Sequence, residues 1–241
     1  MDVDYSIIVP AYNEEEWLPA TLTALKAAMA ASRLHGEIIV TDNNSTDTTA
    51  EIARKSGAQV VFEPVNQISR ARNVGARKAR GRYLVFVDAD TVIPPALLEH
   101  ALDNLESQRC IGGGSIVSFG KEIKRSVRIA VAWWNLLSRF LRLAAGCFFY
   151  CTRQDFEQVG GFSEAVYASE EIWLSRALSK LGRRQGKKFC IIHQVAAQSS
   201  GRKIVWYSTG RQVGLLLMLV FAPFLVRYKR FCGYWYDRPG Q

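Results

Sequence analysis

Tyr83-Leu84-Val85-Phe86-Val87-Asp88-Ala89-Asp90-Thr91 is the stretch on which the reading of this chain turns. A short apolar, β-rich run ends abruptly in two carboxylates at positions i and i+2. On a strand that spacing points both side chains to one face at the C-terminal edge of a sheet. In open α/β sheets that edge is where ligands bind. Two carboxylates held together repel each other and are costly to desolvate without a cation. A hard divalent ion that also grips a phosphate is the simplest partner. A polar turn capping the next helix ahead of Pro94-Pro95 explains the same residues, so the rest of the chain must decide.

Upstream, strands alternate with helices. Ser6 to Val9 reads as a first strand, and Tyr12-Asn13-Glu14-Glu15-Glu16 as the opening of a helix carrying Leu18, Leu22, Leu25 and Met29 at helical spacing. Glu37 to Val40 is a second strand. Asn43 to Asp47 is a turn and N-cap cluster leading into a helix near Thr48 to Lys55. Gln59 to Phe62 is a third strand, Ser69 to Ala79 a basic helix and Tyr83 to Val87 a fourth strand. That alternation predicts parallel βαβ units.

Downstream the pattern is less regular. Helices are expected over Pro94 to Ser107, Glu122 to Leu143, Thr152 to Val159 and Glu171 to Leu181, the last capped by Gly182. Ile111 to Phe119, Cys147 to Cys151 and Phe189 to His193 read as strands. Gly112-Gly113-Gly114 lacks the GxGxxG spacing of a dinucleotide fingerprint. The predicted fold class is α/β: one Rossmann-like mixed sheet flanked by helices over residues 1–205. Within it, residues 1–91 form a nucleotide half and 92–205 an acceptor half. Residues 206–241 form a helical extension.

The composition fits this. In 241 residues, 49% hydrophobic and 22% charged, there is enough apolar mass for a sizeable core. Five cysteines, an odd number without a CxxC pair, argue against a disulfide scaffold or a zinc site and for a reducing cytoplasm. Met1 to Tyr5 lacks the basic region of a secretory signal. The net charge of +9 calls for an anionic partner, and Lys and Arg dominate from Lys121 onward. No nucleic-acid-binding motif accompanies them. Val213 to Val226 is apolar apart from Gly214 and Pro223, and Arg227-Tyr228-Lys229-Arg230 follows. The run is shorter than the roughly 20 residues a spanning helix needs. It suits a helix lying in the membrane interface, and equally a core helix or a dimer contact.

Four segments stand in order: Val9-Pro10-Ala11-Tyr12-Asn13-Glu14, Asp42 to Asp47, Arg70-Ala71-Arg72-Asn73 and Asp88-Ala89-Asp90. Together they resemble the family-two glycosyltransferases, whose catalytic domain has the GT-A fold, and the likeness runs from Ser6 to about Arg202. The resemblance implies that Pro10, Ala11, Tyr12, Asn13 and Glu14 lie against the base and ribose of a nucleotide sugar. It implies that Asp42 bonds the base and that Arg72 and Asn73 sit near the nucleotide. Asp88 and Asp90 match the DxD motif, in which Asp90 binds Mn²⁺ or Mg²⁺ on the diphosphate and Asp88 contacts ribose or metal-bound water. His193 matches a late histidine that serves many GT-A enzymes as a third metal ligand, although a lone histidine is ordinarily a plain surface or core residue.

Phe156 to Phe162 resembles the stretch beside the acceptor site, and Glu170-Glu171 falls where a Glu-Asp pair opens a helix and supplies the general base. The second acid here is Glu171, one methylene longer, which leaves Glu170 as the alternative. A carboxylate beside another in a cleft has a raised pKa, useful for taking a proton from a hydroxyl. Gln198 to Lys203 resembles a late loop whose basic side chains contact diphosphate or acceptor. Trp173 offers a stacking face for a sugar, core packing being its ordinary role.

The expected activity is therefore metal-dependent, inverting transfer from a nucleotide sugar to a saccharide, lipid-linked or small-molecule acceptor. Peripheral contact with the inner face of the cell membrane accompanies it. A sugar nucleotidyltransferase would carry a Gly-rich basic loop after the first strand, where this chain has Pro10 to Glu15. A catalytically silent nucleotide-sugar-binding module is the other alternative.

Overall fold

The computed structural model describes residues 3–120, 123, 125–202 and 206–237; Glu122 and Lys203 lie outside the described residues. Four parallel strands open the chain: β1 (Tyr5–Ala11), β2 (Gly36–Asp42), β3 (Gln59–Phe62) and β4 (Tyr83–Val87). Between them run α1 (Leu18–Ala31), α2 (Thr49–Lys55) and α3 (Ile68–Lys78). Then come β5 (Thr91–Val92), α4 (Pro95–Glu106), β6 (Cys110–Phe119), α5 (Arg125–Leu141), β7 (Phe148–Thr152), α6 (Arg153–Gln158), α7 (Glu170–Gln185) and β8 (Lys188–Ser199). The chain continues through α8 (Thr209–Phe221), two 3₁₀ turns and the short α9 (Gly233–Tyr236).

All eight strands share one sheet in the order β3-β2-β1-β4-β7-β6-β8-β5. β7 enters antiparallel between β4 and β6, whereas β6 and β8 pair in parallel. One continuous sheet thus runs from the first four strands through those that follow. Alternate residues of β1 and β4 feed two apolar layers. Ile7, Val9, Val85 and Val87 pack with α1 and α4, and Ile8, Leu84 and Phe86 with α3, α6 and α7. Both faces are covered, so these strands are continuous apolar runs rather than alternating ones. Phe86, Phe156 and Phe162 meet with ring centroids 5.0–5.7 Å apart, a favourable aromatic geometry.

Several boundaries differ from expectation. Tyr12 to Glu16 does not open α1, which begins at Leu18. Asn13 sits at φ 49°, outside the helical region, and a proline occupies the first turn of α1. Gly182 does not cap α7; it lies inside the helix against Ile111, and Gly186 at φ 71° makes the left-handed cap. β8 runs on to Ser199 because it resumes pairing with β6 after a bulge between Ser115 and Val117. Cys110 and Cys190 form a disulfide with Cα atoms 6.1 Å apart, which runs against the expectation of a reducing environment drawn from the odd cysteine count. The count could not show this, because β6 and β8 become neighbours only on folding; Cys147, Cys151 and Cys232 are buried free thiols. No helix among the described residues is long and apolar enough to cross a membrane.

Candidate active site

The paired carboxylates sit at the C-terminal edge of β4, but in a turn rather than on the strand. β4 stops at Val87, and the Thr91 amide donates to the Asp88 carbonyl to close the turn. β5 then pairs with the end of β8, placing Ser199 opposite Thr91. That pairing brings the loop after β8 to the carboxylates. The Ser200 hydroxyl donates to Asp90 Oδ2 at 2.7 Å, and Arg202 Nε lies 3.2 Å from the same oxygen. Arg202 also pairs with Glu14 and stacks over Trp17 and Trp206. It is 7% exposed, and its Nη1 is buried with no hydrogen-bond partner among the described residues. An unmatched buried guanidinium donor is costly unless an anion arrives.

One wall of the site is the loop after β1. The Asn13 amide donates to Ser45 Oγ, the Thr46 amide to Asn13 Oδ1, and the Glu14 amide to Thr49 Oγ1 at 2.6 Å. These bonds zip the loop after β1 to the loop after β2. Asn13 and Asn44 take left-handed φ values, which Asn tolerates better than most residues. Pro10, Ala11, Tyr12 and Glu14 line a cavity of about 80 Å³ with Asn43, Asp88 and Asp90. Trp206, Trp235, Tyr236 and Asp237 close it from the C-terminal side. Ligand pockets for drug-sized molecules run to roughly 300–1,000 Å³. The aromatic C-terminal residues therefore narrow this space. Tyr236 holds them through a hydrogen bond from the Ile68 amide to its hydroxyl.

A second cavity of about 360 Å³ also borders the same carboxylates. Asp88, Asp90 and Arg202 line it together with Val131 and Trp134 of α5 and Tyr234. Asp88, Asp90 and Arg202 thus line both cavities.

Arg72 organises the third part. Its Nη2 donates to Asp88 Oδ1 at 2.7 Å and to the Gly146 carbonyl at 2.8 Å; its Nη1 donates to Glu170 Oε1 at 2.6 Å. Arg72 is 3% exposed and Glu170 5%. Flanking Asp88 and Glu170, and Glu171 nearby, outweigh the burial that opposes its charge and raise its pKa. Glu170 is therefore committed to an ion pair. Glu171 is partly accessible and makes no such pair among the described residues; a Cβ on Gly146 would stand 3.7 Å from its Oε1. Burial, reinforced by Glu170, pushes the Glu171 carboxyl up to about 8, with Arg72 opposing.

The sequence-predicted residues gather unevenly. Neither cavity counts Glu170 or Glu171 in its lining; Arg72 links Glu170 to Asp88. Asp42 ends β2 opposite Ala11, and its Oδ1 accepts from the Ser45 amide. Asn73 is used structurally, its Nδ2 donating to the Phe162 carbonyl and to Glu164 while its Oδ1 accepts from the Phe162 amide. His193 is not brought to the carboxylates. It lies exposed at the β8 bulge, and among the described residues no cluster of three or more His, Cys, Asp or Glu side chains is placed to hold a metal. Trp173 is 48% exposed, so core packing is not its role. The C-terminal aromatic wall, Trp206 and Trp235 to Asp237, was missed; the Tyr234-Trp235-Tyr236 cluster was its only signal.

Comparison with known proteins places this geometry. The sequence profile of glycosyl transferase family 2 matches residues 6–160. An uncharacterized glycosyltransferase of Mycobacterium tuberculosis is 41% identical over 85 residues, 35% of this chain and 36% of that protein, well under two thirds of its length. Two solved structures share the fold at low identity. A mannosyltransferase from Pyrobaculum calidifontis in complex with GDP-Man and Mn²⁺ is 20% identical with a TM-score of 0.68, over 95% of this chain and 64% of that one. Glucosyl-3-phosphoglycerate synthase from Mycobacterium tuberculosis, in complex with Mn²⁺, UDP and glucosyl-3-phosphoglycerate, is 21% identical with a TM-score of 0.64. That match covers 93% of this chain and 80% of the other.

Proposed function

The chain belongs to glycosyl transferase family 2, and from that premise we propose that it moves a sugar from a nucleoside-diphosphate sugar to an acceptor hydroxyl, with inversion and with a divalent ion. The observation that carries the reading is that Asp88 and Asp90 line two cavities together with Arg202, which keeps a buried donor unmatched among the described residues. The donor set fits a hard cation. Both groups are carboxylates, and Asp90 Oδ1 and Asp88 Oδ2 accept no hydrogen bond among the described residues. Asp88 and Asp90 would hold Mn²⁺ or Mg²⁺, whose remaining oxygen ligands are supplied by phosphate and water. When bound, the ion supplies positive charge against the departing diphosphate. The fold relatives complexed with GDP-Man or UDP and Mn²⁺ support the same donor class and ion.

In this reading the donor lies along Pro10 to Glu14 and Asp42, with Arg202 donating to the diphosphate. The acceptor enters from the cavity beside α5. Glu171, which lines neither cavity, takes the hydroxyl proton of an acceptor that reaches past Asp88 toward Gly146, because Glu170 is tied to Arg72 and a carboxyl raised to about 8 is a competent base near neutral pH. The acceptor oxygen attacks the anomeric carbon as the bond to the diphosphate breaks. A single displacement inverts that carbon.

The test is thermal unfolding with a panel of nucleoside diphosphates, with and without Mn²⁺, on wild type and Asp90→Ala. A ligand at a hundredfold its dissociation constant stabilises by about 2.7 kcal/mol. The expected result is one diphosphate giving a Mn²⁺-dependent shift that Asp90→Ala abolishes. A wild type that no nucleotide shifts, with or without lipid vesicles, overturns the reading.

A further inference from the structure

α5 is an amphipathic helix turned inside out. Its inward side is narrow: Asn135 exchanges hydrogen bonds with the Val117 backbone, Ser138 is buried, and Val131 and Trp134 line the acceptor-side cavity. Its outward side carries Ile129, Trp133, Leu136, Leu137 and Phe140, spaced i, i+4, i+7, i+8 and i+11 along one stripe. Trp133 is 68% exposed and Phe140 84%. Monomeric soluble domains scatter exposed apolar residues singly; a contiguous stripe of this length marks a contact surface. Arg128 and Arg139 lie along one edge of the stripe and Arg142 just beyond its end, all exposed.

We propose that this face of α5 lies in the surface of an anionic bilayer, its stripe in the headgroup–acyl boundary and its arginine row on lipid phosphates. The helix has 17 residues, too short to span but long enough to lie in the plane. Its sequence contains no acidic residue, so a second copy packed face to face would set arginine rows together with nothing on the helix to pair them. Lipid phosphates supply the missing charge. Because the inward side of the same helix walls the cavity that reaches Asp88 and Asp90, α5 sets that cavity beside the lipid surface. This deepens the transferase reading by assigning the acceptor to a lipid-borne class, and only that consequence rests on it; the surface itself stands on exposure and charge.

The experiment is flotation of the full chain with vesicles of phosphatidylcholine alone and of phosphatidylcholine mixed with phosphatidylglycerol. Variants are Trp133→Asp with Phe140→Asp, Arg128→Glu with Arg139→Glu, and Phe221→Asp with Phe224→Asp on the exposed C-terminal segment. Sedimentation without lipid and the nucleotide thermal shift are run on the same samples. The expected result is binding to the anionic vesicles that falls roughly tenfold or more in each α5 variant, with nucleotide-induced stabilisation retained. Three results overturn the proposal: a wild type bound to neither vesicle, α5 variants that bind as wild type does, or a lipid-free dimer that Trp133→Asp with Phe140→Asp dissociates. Vesicle binding through α5 without any nucleotide shift would instead overturn the transferase reading alone.

Discussion

Arg72 carries three contacts at once, and the chemistry of the site turns on it. Breaking a buried ion pair by removing one partner leaves an uncompensated charge and costs about 3–5 kcal/mol. Arg72→Ala is therefore expected to lower stability by that order, read by urea unfolding, while Glu170→Gln with Arg72→Met costs less than the single change. Glu171 makes the opposite prediction. Its carboxyl is raised from 4.5 to about 8 in the folded chain. The folded state thus holds a proton that the unfolded state has released, so stability from this group is full below about 4.5 and is lost as pH rises through about 8. In metal-free buffer, Glu171→Gln should flatten the fall in melting temperature over that window. The same variant should lose turnover by two orders of magnitude or more, since general-base catalysis is typically worth roughly 10²–10⁴. Wild-type turnover should rise with pH toward the same midpoint, a bound cation drawing that midpoint lower. A variant that keeps wild-type turnover would remove Glu171 from the mechanism.

At the scale of elements, β6 threads between β7 and β8 only because Gly113 has no side chain. A Cβ there would collide with the Cys190 carbonyl and the Tyr150 ring. Gly113→Ala is expected to cost at least the roughly 1–3 kcal/mol of an overpacked core, seen as a lower denaturant midpoint. The C-terminal turns form the other critical element. Lys229 Nζ reaches Asn66 Oδ1 at 3.4 Å, and the Ile68 amide donates to the Tyr236 hydroxyl. Both contacts hold the aromatic wall over the donor-side cavity. Tyr236→Ala should widen that cavity and speed association of a nucleoside diphosphate in stopped-flow fluorescence. Unchanged association would show that the wall does not gate the site.

For the whole molecule, the disulfide closes a loop of 80 residues between Cys110 and Cys190. Denatured, unreduced protein should titrate the three thiols of Cys147, Cys151 and Cys232, and all five after reduction. Reduction should destabilise the fold by about 2–5 kcal/mol, with the loss read from the shift in melting temperature. Five titratable thiols before reduction would restore the reading the cysteine count first gave.

The order of the elements was legible because each local signal is short-ranged. The apolar runs of β1, β2 and β4, the turn residues after them, the basic α3 and the carboxylates at the end of β4 announce themselves within a few residues. The same locality placed Pro10 to Glu14, Asp42 and Asp88 to Asp90 at one edge of a parallel sheet. Neighbourhood across long separations was not legible. Thr41 to Phe62 could be ordered from sequence, but nothing in Phe148 to Thr152 says that it inserts antiparallel beside β4. Nothing in Arg202 says that it meets Glu14, 188 residues away. Those choices belong to the tertiary structure, because ladder pairing and buried charge are settled by what the closed sheet brings within a few ångströms. The same closure paired Glu170 with Arg72, joined Cys110 to Cys190, and left the apolar stripe of α5 facing outward.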